Sequence, residues 1–129
     1  MFTAEQEKLI QRETERLQGA DEAALDALNE DSVQRRTTWF IEHRAEFDFL
    51  SGDPLEAGYR LLLARFGITP EQAPVIERTE RKIVFHSRNF CPTLEACRRL
   101  GLDTRLVCKR LNEQATDALV KLADPRLTF

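Results

Sequence analysis

The residues with the most reactive side chains lie in one short segment, residues 86–97, which holds one of the two histidines and two of the three cysteines. Within it, Cys91 comes directly before Pro92. Proline favours the first turn of a helix, so this pair predicts a helix that begins at Pro92 and has Cys91 as its N-cap. Unpaired backbone N–H groups at a helix start stabilise a thiolate, the reactive form of cysteine. The sequence therefore predicts Cys91 as a nucleophile or a binding thiol.

Polar side chains just before Cys91 complete the predicted site. His86 lies five residues earlier, and an imidazole at that spacing can reach a thiol across a strand-to-helix turn and act as its base. Arg88 and Asn89 lie between the two residues and are expected to orient a small anionic ligand. The first functional hypothesis is therefore a thiol-centred site that binds or hydrolyses a small molecule, with Cys91 and His86 as its catalytic residues.

The other two cysteines favour packing. Cys97 lies three residues after Leu94 on the apolar side of the predicted helix, and Cys108 shares helical spacing with Leu111, so both are expected in the core. The three cysteines and His86 together would supply the four ligands of a structural zinc site. A zinc or iron–sulfur site is therefore a further hypothesis. Their spacing contains no C-x2-C pair, so we assign no metal ligand, and the sequence identifies no cofactor.

The composition is that of one soluble globular domain spanning residues 1–129, with 42% hydrophobic and 32% charged residues. The formal net charge of −3 argues against a nucleic-acid partner, although residues 75–129 carry eleven Lys and Arg against seven Asp and Glu. No export signal is apparent, and the longest aliphatic run, residues 61–64, is too short to cross a bilayer. With an odd number of cysteines, these features predict a cytoplasmic protein with reduced thiols and no membrane partner.

The helices must position this segment, and the first of them has little apolar surface. Residues 4–17 read as a helix capped by Thr3 and ended by Gly19, with a stripe limited to a few residues such as Ile10 and Leu17. Such a helix must dock on the rest of the protein, pair with a second copy, or fray. We therefore expect residues 1–19 to form a peripheral or dimerisation helix. A non-catalytic homo-oligomeric module is the second functional hypothesis.

The middle of the chain contains further helix signals. Residues 21–50 have helical spacing and form one helix or two, and His43 falls on the apolar stripe, which favours a packed or hydrogen-bonded histidine. Asp53 followed by Pro54 predicts a helix start, and that helix is expected to end before Gly67. A short helical turn is expected after Thr69.

The periodicity then changes to that of strands. Residues 82–88 alternate, with a partner expected at 75–78, which predicts an antiparallel hairpin. A helix is expected from Pro92 to Leu100, and a last one from Asp103 or Thr104 to about Ala123. The fold class is therefore α+β: a helix-rich single domain of about five helices with a small antiparallel hairpin or sheet.

The segment around Cys91 also carries a resemblance. Residues 85–97, then 100–105 and 107–108, resemble a group of uncharacterised bacterial and archaeal proteins. The strand–Cys-Pro–helix–Cys layout is distantly similar to the L-2-amino-thiazoline-4-carboxylate hydrolase family over residues 83–129. That family opens a small cyclic sulfur compound. The resemblance therefore implies a hydrolytic role for Cys91 and, less directly, a ligand-binding role for Cys108.

Overall fold

Six helices and one hairpin make up the fold in a computed structural model that describes residues 1–129. The chain divides into two compact units. Unit 1 comprises Met1–Ser32 and Phe90–Ala115, and unit 2 comprises Val33–Asn89 and Thr116–Phe129. The helices are α1 (Ala4–Leu17), α2 (Glu22–His43), α3 (Pro54–Phe66), α4 (Pro92–Leu100), α5 (Thr104–Cys108) and α6 (Gln114–Ala123). The strands are β1 (Val75–Arg78) and β2 (Ile83–Phe85), so the predicted helix-rich α+β class is confirmed.

The helix ends follow the capping signals in the sequence. Thr3 caps α1: its hydroxyl oxygen accepts a hydrogen bond from the Gln6 backbone N–H at 3.1 Å. The Gln6 side-chain oxygen in turn accepts a hydrogen bond from the Thr3 backbone N–H. Asp53 caps α3 by accepting a backbone N–H of the first turn at 3.0 Å. Gly67 ends α3 with φ of 63°, a conformation that glycine adopts without the steric cost of a Cβ.

The stretch predicted as one helix or two is one helix, α2, followed by two short 3-10 turns at Arg44–Glu46 and Asp48–Ser51. The aromatic residues after the helix account for the change of direction. The Phe47 ring lies 5.4 Å from the Trp39 ring and 5.4 Å from the Phe49 ring. The end of the stretch therefore folds back on the last turns of α2 instead of extending the helix.

In unit 1, α1 packs against α4. Ile10 and Leu17 are buried, and Leu17 belongs to a cluster with Ala96, Cys97 and residues of the following helix. A salt bridge of 2.9 Å joins Glu7 of α1 to Arg99 of α4. Of the three outcomes predicted for this helix, the structure shows docking on its own unit.

The core of unit 2 is built around α3. Leu61 and Leu62 pack with Phe40 of α2, with α6 and with Leu127. Gly58 permits the last of these contacts, because a Cβ at residue 58 would lie 2.9 Å from Leu127 Cδ1.

The hairpin also lies in unit 2 and is shorter than predicted. β1 and β2 pair antiparallel, with Val75 opposite Phe85 and Arg78 opposite Ile83. β2 ends at Phe85, although the alternating pattern continues to residue 88. Beyond Phe85, backbone N–H groups bond to carbonyls that lie before β1, so the extension leaves the regular ladder.

The helix predicted from Asp103 or Thr104 to Ala123 is present over that range. It consists of α5, a π-helical segment at Lys109–Glu113, and α6 in succession. No helix in the structure combines the length and the apolar character needed to span a membrane.

Candidate functional site

Cys91 occupies the position that the sequence predicts. It is the N-cap of α4, with extended backbone angles (φ −128°, ψ 106°), and Pro92 is the first helical residue. The side chain is half-buried and makes no capping hydrogen bond. The structure therefore places Cys91 at the helix start but shows no hydrogen bond from a helix N–H to its sulfur, so the predicted stabilisation of a thiolate receives no support from the geometry.

Cys97 is a packing residue, as predicted. It is fully buried in the unit 1 core beside Leu17 and Val107. Burial raises the pKa of the Cys97 thiol, a hydrogen bond with Thr104 opposes that shift, and nearby Cys91 and Cys108 raise the pKa further. All three cysteines belong to unit 1, and Cys97 is the one that is fully buried.

Cys108 departs from the expectation of a core position. It is half-buried, and its neighbour Val107 takes the core position instead. Side chains of consecutive helical residues point about 100° apart, so Cys108 cannot point into the core when Val107 does. Cys108 instead lines a shallow groove. The groove is lined by Asp103, Thr104, Arg105, Leu106, Cys108, Lys109 and Glu113.

His86, Arg88 and Asn89 belong to unit 2, just after β2. The His86 N–H donates to the Pro74 carbonyl at 3.1 Å, and the Arg88 N–H donates to the Gln72 carbonyl at 2.7 Å. The side chains of His86 and Arg88 are exposed, and the Asn89 side chain accepts a hydrogen bond from the Ser87 hydroxyl. Backbone bonds thus anchor this segment, while the action of His86 on Cys91 stays a prediction.

His43 is hydrogen-bonded, as its place on the apolar stripe predicts. Its Nδ1 lies 2.8 Å from the Trp39 carbonyl oxygen, and its ring stacks on the Trp39 ring at 5.4 Å. Nowhere does the structure group three or more His, Cys, Asp or Glu side chains as ligands for a metal ion. The zinc and iron–sulfur hypothesis therefore receives no support from the geometry.

The sequence interpretation missed a cleft of about 220 Å³ in unit 2, lined by both apolar and polar residues. One wall comes from α3, a second from the hairpin, and a third from α6 and the residues after it. The lining residues are Leu55, Gly58, Tyr59, Leu62, Arg81, Lys82, Ile83, Phe85, Val120, Arg126, Leu127, Thr128 and Phe129.

Three of the lining residues are cationic, and they differ in how their charge is compensated. Lys82 pairs with Glu77 at 2.6 Å, and Arg126 pairs with Asp124 at 2.7 Å. The hydrogen bond from Arg126 lowers the pKa of Asp124 to about 2, so that pair is ionised at neutral pH. Arg81 is exposed and has no carboxylate partner. The cleft therefore has one uncompensated positive charge.

Tyr59 gives the cleft an aromatic wall. Its hydroxyl donates to the Ala73 carbonyl at 2.7 Å, and its ring meets the Phe85 ring edge-on at 5.3 Å. Burial raises the pKa of Tyr59, which keeps the hydroxyl protonated at neutral pH. Since that proton is already donated to the Ala73 carbonyl, Tyr59 contributes mainly its ring to the wall of the cleft.

One signal in the sequence pointed to this cleft. Residues 75–129 are basic overall, and Arg81 and Lys82 stand directly before the apolar residues of β2.

Compared with known proteins, the chain matches no protein-family model, no curated protein and no solved structure.

Proposed function

We propose that unit 2 binds a small amphipathic anion in this cleft, whose lining combines apolar and cationic side chains. The observation that carries the proposal is the combination of apolar walls with the unpaired Arg81 on the same cleft. Aliphatic and aromatic walls favour an apolar ligand body, and a few polar groups then fix its orientation. A guanidinium without a partner favours a carboxylate or a similar head group.

The size of the cleft limits the ligand. Pockets for drug-sized molecules are roughly 300–1,000 Å³, and this cleft is about 220 Å³. A ligand with one aromatic ring or a short acyl chain fits that volume. The small anionic ligand expected from the sequence is therefore retained as a proposal, but at this cleft.

Phenylacetate and its neutral analogue phenylacetamide test the proposal by NMR titration. We expect saturable shifts at Ile83, Phe85 and Leu127, with phenylacetate binding about two- to fivefold more tightly, because an exposed charge contact contributes up to about 1 kcal/mol. Arg81→Gln should remove the preference for the acid. Arg12→Gln, which removes an equally exposed arginine from unit 1, should keep it.

Two results would contradict the proposal. The first is the absence of saturable shifts with either compound at millimolar concentration. The second is an equal loss of the preference in Arg81→Gln and Arg12→Gln, because a general charge effect would then explain it.

As a second function we propose thiol chemistry at Cys91 in unit 1. The observation that favours it is that Cys91 lies at the start of α4 and is only half-buried, whereas Cys97 is fully buried. The distant resemblance of residues 83–129 to the thiazoline hydrolase family makes hydrolysis of a small sulfur compound the reaction to test first.

Alkylation with iodoacetamide near pH 6.5 is expected to modify Cys91 first, Cys108 next and Cys97 last. We expect Cys97 to react at least about tenfold more slowly than Cys91, because buried thiols are inert. Peptide mass spectrometry over a time course measures the three rates, and Cys91→Ser should remove the fast phase alone. Equal rates at all three cysteines would rule out a distinct reactive thiol.

A further inference from the structure

Arg36 of α2 is a buried cation without a counter-charge. Only 7% of the residue is exposed. One guanidinium nitrogen, Nη1, donates to Thr116 Oγ1 at 2.9 Å, whereas Nε is buried and has no hydrogen-bond partner. No carboxylate forms an ion pair with it. A buried charge is costly unless it is paired, so this arrangement needs an explanation.

Arg65 of α3 is also a cation without a counter-charge. Its Nε is buried without a hydrogen-bond partner, and no carboxylate forms an ion pair with its guanidinium. The two arginines are held in a reciprocal arrangement between the helices. Arg36 lies 5.5 Å from the ring centroid of Phe66 on α3, and Arg65 lies 5.6 Å from that of Trp39 on α2. These contacts hold both guanidinium groups in place without neutralising them.

The two positive charges are close enough to act on each other. Burial, with smaller contributions from the charges of Arg65 and Arg35, lowers the pKa of Arg36 to about 10. Burial lowers the pKa of Arg65 as well, with a contribution from Arg35. Both groups stay protonated at neutral pH. The surroundings of the pair are thus electropositive and carry unused N–H donors.

We infer that Arg36 and Arg65 form an oxyanion-binding site, at which a phosphate-type or carboxylate group accepts hydrogen bonds from both guanidinium groups. Guanidinium donors match the oxygen spacing of both anions, and an anion would supply the missing counter-charge. Arg65 is half-buried whereas Arg36 is only 7% exposed, so an anion would reach the pair from the Arg65 side.

Thermal unfolding of the full chain in phosphate, in malonate and in chloride at matched ionic strength tests the inference. We expect phosphate, malonate or both to raise the unfolding midpoint in a saturable way that chloride does not reproduce. The more effective anion identifies the head group. Arg65→Gln should abolish the increase, whereas Arg60→Gln, on the exposed side of the same helix, should retain it.

A second measurement is made on the unmodified protein, so its main result does not depend on whether Arg65→Gln folds. In the unmodified protein, the side-chain Nε–H resonances of Arg36 and Arg65 should shift on titration with the effective anion, while that of Arg60 should not. Arg81→Gln should leave these shifts unchanged, so failure of this inference and failure of the cleft proposal are distinguishable. The inference is overturned if neither anion stabilises the protein beyond chloride, or if the three Nε–H resonances respond alike.

Discussion

Replacing Leu61 by alanine is expected to lower the free energy of unfolding by about 2–5 kcal/mol. Leu61 has 0% exposure and belongs to the cluster that joins α3 to α2 and α6 in unit 2. The substitution removes buried methyl groups and leaves a cavity that close-packed neighbours fill only in part. Urea unfolding followed by circular dichroism measures the change.

The control for Leu61→Ala is Leu106→Ala, because Leu106 is 55% exposed. It should change the unfolding free energy by no more than about 0.5 kcal/mol, the usual range for surface substitutions. Similar effects at the two positions would mean that α3 is not the centre of the unit 2 core.

Replacing Leu17 by aspartate is expected to destabilise unit 1 by more than about 3 kcal/mol, because it places an unpaired carboxylate in an apolar cluster. Leu17 is buried in the same cluster as Cys97. Opening of that cluster should make Cys97 accessible, so its alkylation under native conditions should become as fast as that of Cys91. The rate at Cys97, measured by peptide mass spectrometry, reports the effect directly.

Leu9→Asp is the matched control on the same helix, since Leu9 is 43% exposed. It should leave Cys97 protected. This pair of variants also tests the hypothesis that residues 1–19 form a dimerisation helix. If Leu17→Asp halves the mass measured by light scattering while Cys97 stays protected, α1 serves assembly and not the core of unit 1.

Capping residues made most helix boundaries predictable. Thr3 and Asp53 are favoured as N-caps, Gly67 and Gly101 adopt the left-handed conformation without steric cost, and the structure places a helix end at each of them. Interactions distant in sequence decided the remaining ends. The alternating pattern gives no sign that β2 stops at Phe85, because its partner strand sets the length of the ladder.

The candidate sites, like the helix and strand ends, were predictable where the signal is local in sequence and not where it is distant. The place of Cys91 at a helix start follows from Pro92, which is a local signal. The cleft escaped prediction because its walls come from three parts of the chain that are far apart in sequence. The arginine pair was hard to predict from the sequence. Arg36 appears there only as a break in the apolar spacing of α2, and the ring that it contacts, Phe66, lies on α3.

Gly58 connects the interior of unit 2 with the proposed ligand cleft. Leu127 packs into the space left by the missing side chain, and both residues line the cleft. A larger residue at position 58 would displace Leu127 and reshape the cavity as it loosens the interior. The shape of the proposed ligand cleft and the packing of the interior therefore depend on the same contact, so a substitution at residue 58 would alter both.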